Sequence, residues 1–365
     1  MNITINKEVL LNCLQRVLGP TTTKQNFPVL SGVFIKTLDG LIKITTTDLD
    51  ITITTQEKVQ VNQSGEFLVP MKRFFSIIKE LPDGEITIEK TKNNLLINCG
   101  KVEFKITTLN SAEYPQVQEP QKVSLIKLNC QTLEEMIRST SFCVGLDDTN
   151  YVLNGILFEI EKDLIKIVST DGKRLAFIKR KLPPNQPEIA SKISFILPIK
   201  TVNEVYRLIK ESNDELLLSV EENRVGLDLR NTLLIARPIE GEFPDYSQYI
   251  PTKGKDRLTV NRKDMLTSLK RASLLTAPDF QGVKMELKKQ GIVISKNTPQ
   301  LGEVREELDA DYTGSNLEIG FNPTYVIDVL RNLNDTEVSF DFFGVDKPAV
   351  LRREDYVYLL LPMKM

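Results

Sequence analysis

The chain has 365 residues, of which 41% are hydrophobic and 26% are charged, and its formal net charge is −2. These values are typical of a globular protein with two or three domains, and the net charge gives no global sign of nucleic-acid binding. The absence of histidine excludes Ser-His-Asp catalysis, Cys-His catalysis and histidine-ligated zinc.

The predicted elements recur three times along the chain, about 120–130 residues apart. Each copy opens with a strand and a helix, in ITINKEVLLNCLQRVLG, IKLNCQTLEEMIRSTSFCVG and LTVNRKDMLTSLKRASLL. A strand with a glycine near its start comes next, in LSGVFIKTL, LNGILFEIE and FQGVKMELK. A further strand follows, in LIKITTTDLDITI, LIKIVSTDGKRLAFI and, more weakly, IVISKNTPQLGEV.

A strand that enters a helix completes each copy, in EFLVPMKRFFSIIKEL, SFILPIKTVNEVYRLI and LEIGFNPTYVIDVLRNL. Each copy then closes on an aromatic or apolar residue before proline, in SAEYPQ, GEFPDY and LLLPMKM. This self-similarity predicts three domains, at 1–125, 126–250 and 251–365.

Each predicted domain has two helices and about eight short strands. Leu10, Leu14 and Leu18 share one helix face, and Ile42 and Ile44 alternate along a strand. Because each element has one apolar face, the helices are expected to pack on antiparallel sheets in an α+β fold.

The predicted helices carry more positive charge than the rest of the chain. Six windows, 7–18, 71–81, 131–144, 199–211, 261–275 and 323–333, sum to +6, which leaves −8 for the remainder. A basic helix layer on an acidic body is typical of a surface that contacts a phosphate backbone. The alternative is that these are ordinary solvated helix faces.

Six motifs, in order along the whole chain, resemble the bacterial sliding clamp family, the beta subunit of DNA polymerase III. They are VPMKRFF (69–75), YVLNG (151–155), TDGKRLA (170–176), EGEFPDY (240–246), GFNPTYVIDVL (320–330) and LLLPMKM (359–365). The resemblance implies a head-to-tail homodimer of three-domain protomers, which forms a six-domain ring with helices lining the pore. Double-stranded DNA would pass through the ring and be bound without regard to sequence. The ring would tether the replicative polymerase, with no cofactor and no catalysis of its own.

The resemblance places DNA-facing positions at Lys24, Arg73 and Tyr151. Asp147 and Asn150 stand where the family often has polar or basic residues, which leaves open the part that this loop plays in DNA binding.

The subunit interface implied by the resemblance pairs the edge strand around Phe104 and Ile106, flanked by Lys101 and Lys105, with a second surface. That surface has an apolar centre and an acidic rim, formed by Leu274, Leu275, Glu303, Glu306 and Glu307. Burial of Phe104 and Ile106 within their own domain is the alternative.

The resemblance also implies a hydrophobic cleft where the turn of STDGKRLAF packs beside the C-terminal strand. Short hydrophobic motifs of the DNA polymerase III alpha subunit, the clamp loader, repair and translesion polymerases, mismatch repair proteins and ligase would bind there. The matching residues are Leu153, Thr170, Gly172, Lys173, Arg174, Leu175, Pro244, Leu359, Leu360, Leu361, Pro362, Met363 and Met365.

Lys173, Arg174 and Leu175 are expected to form one wall of this cleft, with the two basic residues at its rim. Methionines suit a cleft that re-packs around several partners. The family often has histidine in place of Lys173, a basic residue in place of Gln248 and a smaller aliphatic residue in place of Tyr249, so the peptide preference is left open. The alternative interpretation is that residues 357–361 are simply the last core strand.

An enzyme alternative uses Asp48, Asp50, Asp147 and Asp148 as a metal-dependent phosphodiesterase site. Since TTDLD occupies the repeat position of STDGK, we interpret Asp48 as a turn residue. A third possibility is an oligomeric scaffold that does not form a ring. The Walker and Rossmann phosphate loops are absent.

The sequence also favours a cytoplasmic protein with no membrane partner. No apolar run reaches the ~18 residues of a membrane span, and the N-terminus lacks signal-peptide features. Cys13, Cys99, Cys130 and Cys143 include no Cys-x-x-Cys pair, so they are interpreted as reduced thiols.

Overall fold

The computed structural model describes residues 1–21, 27–116, 125–145, 150–189, 191–210, 212–252, 254, 256–278 and 281–364. Within these ranges the chain forms six α-helices and 26 β-strands, and the strands are paired antiparallel. The predicted α+β class is confirmed. None of the described helices is both long enough and apolar enough to cross a membrane.

The described part of residues 1–116 contains two helices and nine strands. They are β1 (Asn2–Asn6), α1 (Lys7–Val17), β2 (Gly32–Leu38), β3 (Leu41–Thr47), β4 (Ile51–Lys58), β5 (Gln60–Gln63), β6 (Glu66–Pro70), α2 (Met71–Glu80), β7 (Glu85–Lys90), β8 (Asn94–Cys99) and β9 (Val102–Thr107).

The described part of residues 125–252 contains two helices and eight strands. They are β10 (Ile126–Asn129), α3 (Cys130–Thr140), β11 (Gly155–Glu161), β12 (Leu164–Thr170), β13 (Arg174–Lys181), β14 (Ile193–Pro198), α4 (Ile199–Ile209), β15 (Glu215–Glu221), β16 (Arg224–Leu229) and β17 (Thr232–Ala236).

The described part of residues 254–364 contains two helices and nine strands. They are β18 (Asp256–Asn261), α5 (Arg262–Ser273), β19 (Val283–Lys288), β20 (Gly291–Thr298), β21 (Gly302–Leu308), β22 (Ala310–Tyr312), β23 (Leu317–Phe321), α6 (Pro323–Asn332), β24 (Glu337–Phe342), β25 (Ala349–Arg352) and β26 (Tyr356–Leu360).

The backbone forms two compact units. The first unit comprises Met1–Gln131, Pro183–Pro187 and Asn203–Pro238, and the second comprises Thr132–Leu182, Glu188–Val202 and Ile239–Met365. The strands of the middle third of the chain are therefore divided between the two units.

Each unit contains two sheets. In the first unit the strand orders are β5-β1-β7-β8-β9 and β10-β15-β16-β17-β4-β3-β2-β6. In the second unit they are β14-β11-β12-β13-β26-β25-β24-β18-β22 and β21-β20-β19-β23. The β4–β17 and β13–β26 pairs each join strands from successive thirds of the chain.

The three copies share a hydrogen bond that fixes a helix end to a neighbouring strand. In each copy a strand hydroxyl donates to a backbone carbonyl at the carboxyl end of the first helix or just beyond it, where carbonyls lack helical partners. The pairs are Thr46 with Val17, Ser169 with Thr140 at 2.5 Å and Thr298 with Leu275 at 2.5 Å. The predicted repeat is thus present in local geometry as well as in pattern.

A second shared contact corrects one part of the repeat prediction. Isolated bridges join Leu68 to Leu109, Ile196 to Ile239 and Gly320 to Met363. Met363 is therefore the counterpart of Leu109 and Ile239, which precede the Tyr-Pro and Phe-Pro pairs by several residues. Leu361-Pro362 lies before the bridge residue Met363, whereas Tyr114-Pro115 and Phe243-Pro244 lie after the bridge residues Leu109 and Ile239. The Leu-Pro pair is therefore not the counterpart of the other two pairs.

The buried thiols predict a loss of stability at alkaline pH. Burial raises the pKa of Cys13 from 9.0 to about 11 and also raises the pKa values of Cys130 and Cys143. Between about pH 9 and pH 11 the Cys13 thiol keeps its proton in the folded protein and loses it in the unfolded protein. The free energy of unfolding should therefore fall from about pH 9 towards pH 11, with Cys13 contributing about 1.4 kcal/mol per pH unit.

Urea titrations at pH 8, 9 and 10 would measure this slope. The Cys13→Ala variant should show a shallower decline, because one buried titrating group is gone. An identical decline in both proteins would contradict the assignment to Cys13.

Candidate functional site

Two turns of the same geometry follow β3 and β12. Asp48 Oδ1 accepts the backbone N–H groups of Asp50 and Ile51 at 3.1 and 2.8 Å. Asp171 Oδ1 accepts those of Lys173 and Arg174 at 2.9 and 3.0 Å. Each aspartate thereby holds its own turn, as aspartate commonly does. The interpretation of Asp48 as a turn residue is supported by this geometry.

The residue after each aspartate adopts a left-handed backbone. The φ angle is +81° at Leu49 and +82° at Gly172. Glycine has no Cβ and adopts this conformation without steric cost, whereas leucine does not. The first turn therefore carries backbone strain that the second turn lacks.

Replacing Leu49 with glycine should raise the free energy of unfolding by about 0.5–1 kcal/mol, because the strain is relieved and little packing is lost from a half-exposed side chain. The reciprocal Gly172→Ala change should lower it by about 1 kcal/mol, although a Cβ there would meet no atom within 4 Å. Denaturant titrations of both variants would test the pair. A stabilised Gly172→Ala protein would contradict this account.

Arg174 lies inside the protein and connects the second turn to α6. Its Nε is 3.0 Å from Asp171 Oδ2, and its Nη1 is 2.7 Å from Asp328 Oδ2. Its guanidinium carbon is 4.4 Å from the centre of the Tyr325 ring, within cation–π range. Burial by itself lowers the pKa of Arg174, but its interactions with Cys143, Asp328, Tyr358 and Asp171 raise it above the usual value.

This position of Arg174 differs from the expected exposed rim. Side chains alternate between the two faces of a strand, so Arg174 and Leu175 point to opposite faces of the nine-stranded sheet. Leu360, which pairs with Arg174, shares its face, whereas Leu359 pairs with Leu175. Two of the predicted cleft residues, Arg174 and Leu360, therefore lie on the side of the sheet that faces α6.

The opposite face of the sheet carries an apolar cluster. Its buried members are Leu157, Val168, Leu175, Ile196, Val350, Val357 and Leu359. Leu175 and Leu359 are the two predicted cleft residues in this cluster. Val152, Phe177 and Phe343 are half-buried beside it, which leaves apolar surface in reach of solvent.

A segment after β17 covers part of this cluster. Ile239, Phe243, Tyr246 and Ile250 pack against it. Tyr246 donates a hydrogen bond of 2.6 Å to Glu159 Oε2, and burial together with this carboxylate raises the pKa of the tyrosine. Lys192 pairs with the same buried carboxylate. Tyr246, Glu159 and Lys192 thus form a polar network that holds the segment in place.

The C-terminal residues lie next to the same cluster. Residues 356–360 are buried as β26, which agrees with a last core strand, and Leu361 is 41% exposed. The Leu361 N–H donates to the Lys173 carbonyl at 2.9 Å, and the Met363 N–H donates to Gly320 at 2.8 Å. Two backbone hydrogen bonds therefore hold the tail in place, while the apolar side chains of Leu361 and Met363 remain accessible to solvent.

The remaining predicted cleft residues have varied exposure. Leu153, Thr170, Pro362 and Met363 are half-buried, whereas Gly172, Lys173 and Pro244 are exposed. Gln248 and Tyr249 are exposed as well. Met365 lies outside the described residues.

Sequence reasoning missed several cluster residues. Val152, Ile239, Phe243, Tyr246 and Val350 were not predicted, although four of them lie in or beside the YVLNG and EGEFPDY motifs. The apolar residues of these motifs were the signal that could have identified them.

Of the predicted DNA-facing residues, two are described and both are exposed. Arg73 is exposed on α2, and Tyr151 is 57% exposed in a 3-10 turn over Tyr151–Asn154. Lys24 and residues 146–149 lie outside the described residues. Asn150 is exposed.

Part of the predicted helix charge is paired locally. Lys7 lies 3.1 Å from Asp83, and Arg271 pairs with Glu306. Arg207 donates to the Gln15 and Arg16 carbonyls at 2.8 and 2.7 Å, where it caps the end of α1. By contrast, the basic residues of α2 are exposed, namely Lys72, Arg73 and Lys79.

Two edge strands carry the residues predicted for a subunit interface. Strand β9 ends the five-stranded sheet, with Phe104 37% exposed and Ile106 half-buried. The exposure of Phe104 does not favour its burial within its own domain. Strand β21 ends the four-stranded sheet and carries Glu303, Glu306 and Glu307.

The end of α5 adds apolar surface to the second unit. Leu274 is 79% exposed, and Leu275 is half-buried. Arg305 pairs with Glu307 at 2.6 Å on β21.

Among the residues that the structure describes, no three Cys, Asp or Glu side chains are grouped so that they could hold a metal ion. Asp147 and Asp148 of the phosphodiesterase alternative lie outside those residues. Asp50 is exposed, and Asp48 serves its turn.

Three family models match the chain in order and together define its class. They describe the N-terminal, central and C-terminal domains of the DNA polymerase III beta subunit and match residues 1–118, 127–245 and 247–364. The chain therefore belongs to the DNA polymerase III beta subunit family, the bacterial sliding clamps.

Individual relatives agree with this assignment over their full length. The chain is 31% identical to the beta sliding clamp of Haemophilus influenzae and 30% identical to that of Escherichia coli K12, with 100% of each chain covered. The sliding clamp of Bacillus subtilis has a similar structure, with a TM-score of 0.94, 30% identity, and 100% of this chain and 99% of that one covered. A Pseudomonas aeruginosa sliding clamp bound to griselimycin also has a TM-score of 0.94, at 29% identity and 100% coverage of both chains.

Proposed function

We propose that this protein encircles double-stranded DNA as a sliding clamp and tethers the replicative polymerase to it. The observation that carries the proposal is the match of all three beta-subunit domain models, in order, to a chain that sliding-clamp structures cover completely. The domains are proposed at 1–125, 126–250 and 251–365, in a cytoplasmic protein without a cofactor.

The proposed assembly is a head-to-tail homodimer with six domains in a ring. Edge strand β9 of one protomer would pair with β21 of the other, because each strand ends its sheet. Phe104 and Ile106 would meet Leu274 and Leu275 at the apolar centre. Lys101 precedes β9 and Lys105 lies on it; both are exposed, and the acidic residues of β21 complement them. Closure of the ring leaves neither edge unpaired.

Replacing Phe104 with aspartate should dissociate this dimer, since a charge would be buried at the centre of the apolar contact. Light scattering should then give the 41.4 kDa mass of one chain in place of twice that value. Phe27→Asp is a matched control, because Phe27 is an exposed phenylalanine that belongs to neither β9 nor β21. A dimeric Phe104→Asp protein would contradict the interface.

Helices would line the pore and contact the phosphate backbone without reading the bases. Arg73 and Tyr151 are exposed, which supports their contact with the phosphate backbone. Lys24 is proposed to contact the backbone as well. The exposed basic residues of α2 supply charge without a tight anion site, which suits sliding.

The apolar cluster and the tail are proposed to receive short hydrophobic motifs of partner proteins. The proposed partners are the DNA polymerase III alpha subunit, the clamp loader, repair and translesion polymerases, mismatch repair proteins and ligase. Leu175, Leu359 and Leu361 would form the apolar floor, and Met363 would adapt to different side chains. No catalysis is proposed for the chain.

The ring is tested by loading the protein onto nicked circular DNA with a clamp loader and then cutting the circle. Prompt loss from linear DNA is expected, because the attachment is topological. Persistent retention would overturn the proposal and favour a scaffold that binds DNA by local contacts. A nuclease assay with magnesium or manganese should show no cleavage.

A further inference from the structure

A second groove lies in the first compact unit, where β4 pairs with β17. Its volume is about 250 Å³, and its lining includes Leu49, Pro115, Gln116, Ile235 and Arg237. We call it the junction groove. The proposed function above makes no use of it.

The strand register shows that the junction groove is built like the candidate cleft. Thr52 pairs with Ile235 on β17, and Leu175 pairs with Leu359 on β26. Both pairs lie four residues after the aspartate of the shared turn. Thr52 and Ile235 thus occupy the positions that Leu175 and Leu359 hold in the cleft.

The lining of the junction groove has a different chemistry. A threonine replaces one cleft leucine, and the half-exposed Leu49 supplies apolar surface beside the largely buried Ile235 and Ala236. Arg224, Arg237 and Asp50 are the charged residues of the lining, and Arg224 already interacts with a partner inside the protein. The groove therefore presents the exposed Arg237 side chain beside a small apolar surface.

Arg237 is the polar group best placed to bind a ligand. Its backbone N–H donates to the Asp50 carbonyl at 3.0 Å, which fixes the main chain. Its side chain is exposed, and within the described part of the chain the guanidinium has no hydrogen-bond or ion-pair partner. A guanidinium matches a carboxylate through two parallel hydrogen bonds.

We propose that the junction groove binds a short acidic peptide segment of a partner protein. A carboxylate of the peptide would pair with Arg237, and a small aliphatic side chain would lie on Ile235 beside Leu49. The volume is below the usual range for drug-sized ligands, so a segment of one or two side chains fits. The comparison with the cleft rests on the proposed function, whereas the lining of the groove does not.

The test uses the full-length protein and a fluorescein-labelled peptide, Gly-Val-Asp-Asp-Gly, in a polarisation titration. Saturable binding with a dissociation constant below about 1 mM is expected. Arg237→Glu should weaken binding at least tenfold. Lys58→Glu is the matched control, because it reverses one exposed charge at the far end of β4 and should leave binding unchanged.

A protein that lacks residues 361–365 separates the two sites. The acidic probe should bind it as tightly as it binds the intact chain, even if the cleft is disabled. Three results would overturn the proposal: no saturation up to about 1 mM, equal binding to the Arg237→Glu variant, or loss of binding on removal of the tail. A separate failure of hydrophobic peptides to bind the cleft would count against the proposed function and leave this comparison intact.

Discussion

The Arg174→Ala variant is expected to lose about 3 kcal/mol of unfolding free energy, the largest loss predicted for any single substitution in this protein. The guanidinium bridges Asp171 and Asp328, whose side chains are 16% and 22% exposed. Its removal leaves two carboxylates partly withdrawn from water with no cation between them. Denaturant unfolding measured at neutral pH would give the change.

Two further variants make this expectation specific. Lys173→Ala alters an exposed neighbour and should change the stability by less than about 0.5 kcal/mol. Asp328→Asn should cost less in the Arg174→Ala protein than in the intact protein, because the two residues act as a pair. Additive losses would show that Arg174 stabilises the fold by packing alone.

Deletion of residues 361–365 is expected to abolish the binding of hydrophobic partner peptides while the dimer persists. The deletion removes the exposed Leu361 and the Met363 anchor to Gly320 but leaves β26 intact. A fall in affinity of at least a hundredfold should appear in a polarisation assay with a labelled hydrophobic peptide, and light scattering should report an unchanged mass.

Lys364→Ala is the control for this deletion, since it changes an exposed tail residue and keeps the apolar ones. Its affinity for the peptide should match that of the intact chain. Unchanged peptide affinity after the deletion would refute the role of the tail in the cleft.

The helices were predictable because their apolar periodicity is strong. The window 71–81 corresponds to α2 at Met71–Glu80, and the window 323–333 to α6 at Pro323–Asn332. The window 131–144 was too long, because α3 ends at Thr140 and a 3-10 turn follows over Ser141–Cys143. Such a turn continues the helical pattern of residues while its hydrogen bonds change.

The role of Arg174 could not be predicted from the local sequence. Period-two alternation separates Arg174 from Leu175, but the sequence does not show which face each one takes. Its partner Asp328 lies on α6, 154 positions away. The pairing of β4 with β17 could not be predicted for the same reason: the two strands are far apart in the sequence, and neither contains a residue pattern that identifies its partner.

The pairing of β13 with β26 has a consequence for how the chain is made. Their partners at positions 174 and 360 are 186 residues apart. At a synthesis rate of about 5–20 residues per second, β13 waits roughly 10–40 s on the ribosome for its neighbour. During that interval the strand has an open edge, and its apolar residues 175–178 are flanked by Arg174, Lys179, Arg180 and Lys181, basic residues of the kind that oppose edge-to-edge aggregation. Until residue 360 is made, native pairing with β26 cannot cover this edge of the nascent chain.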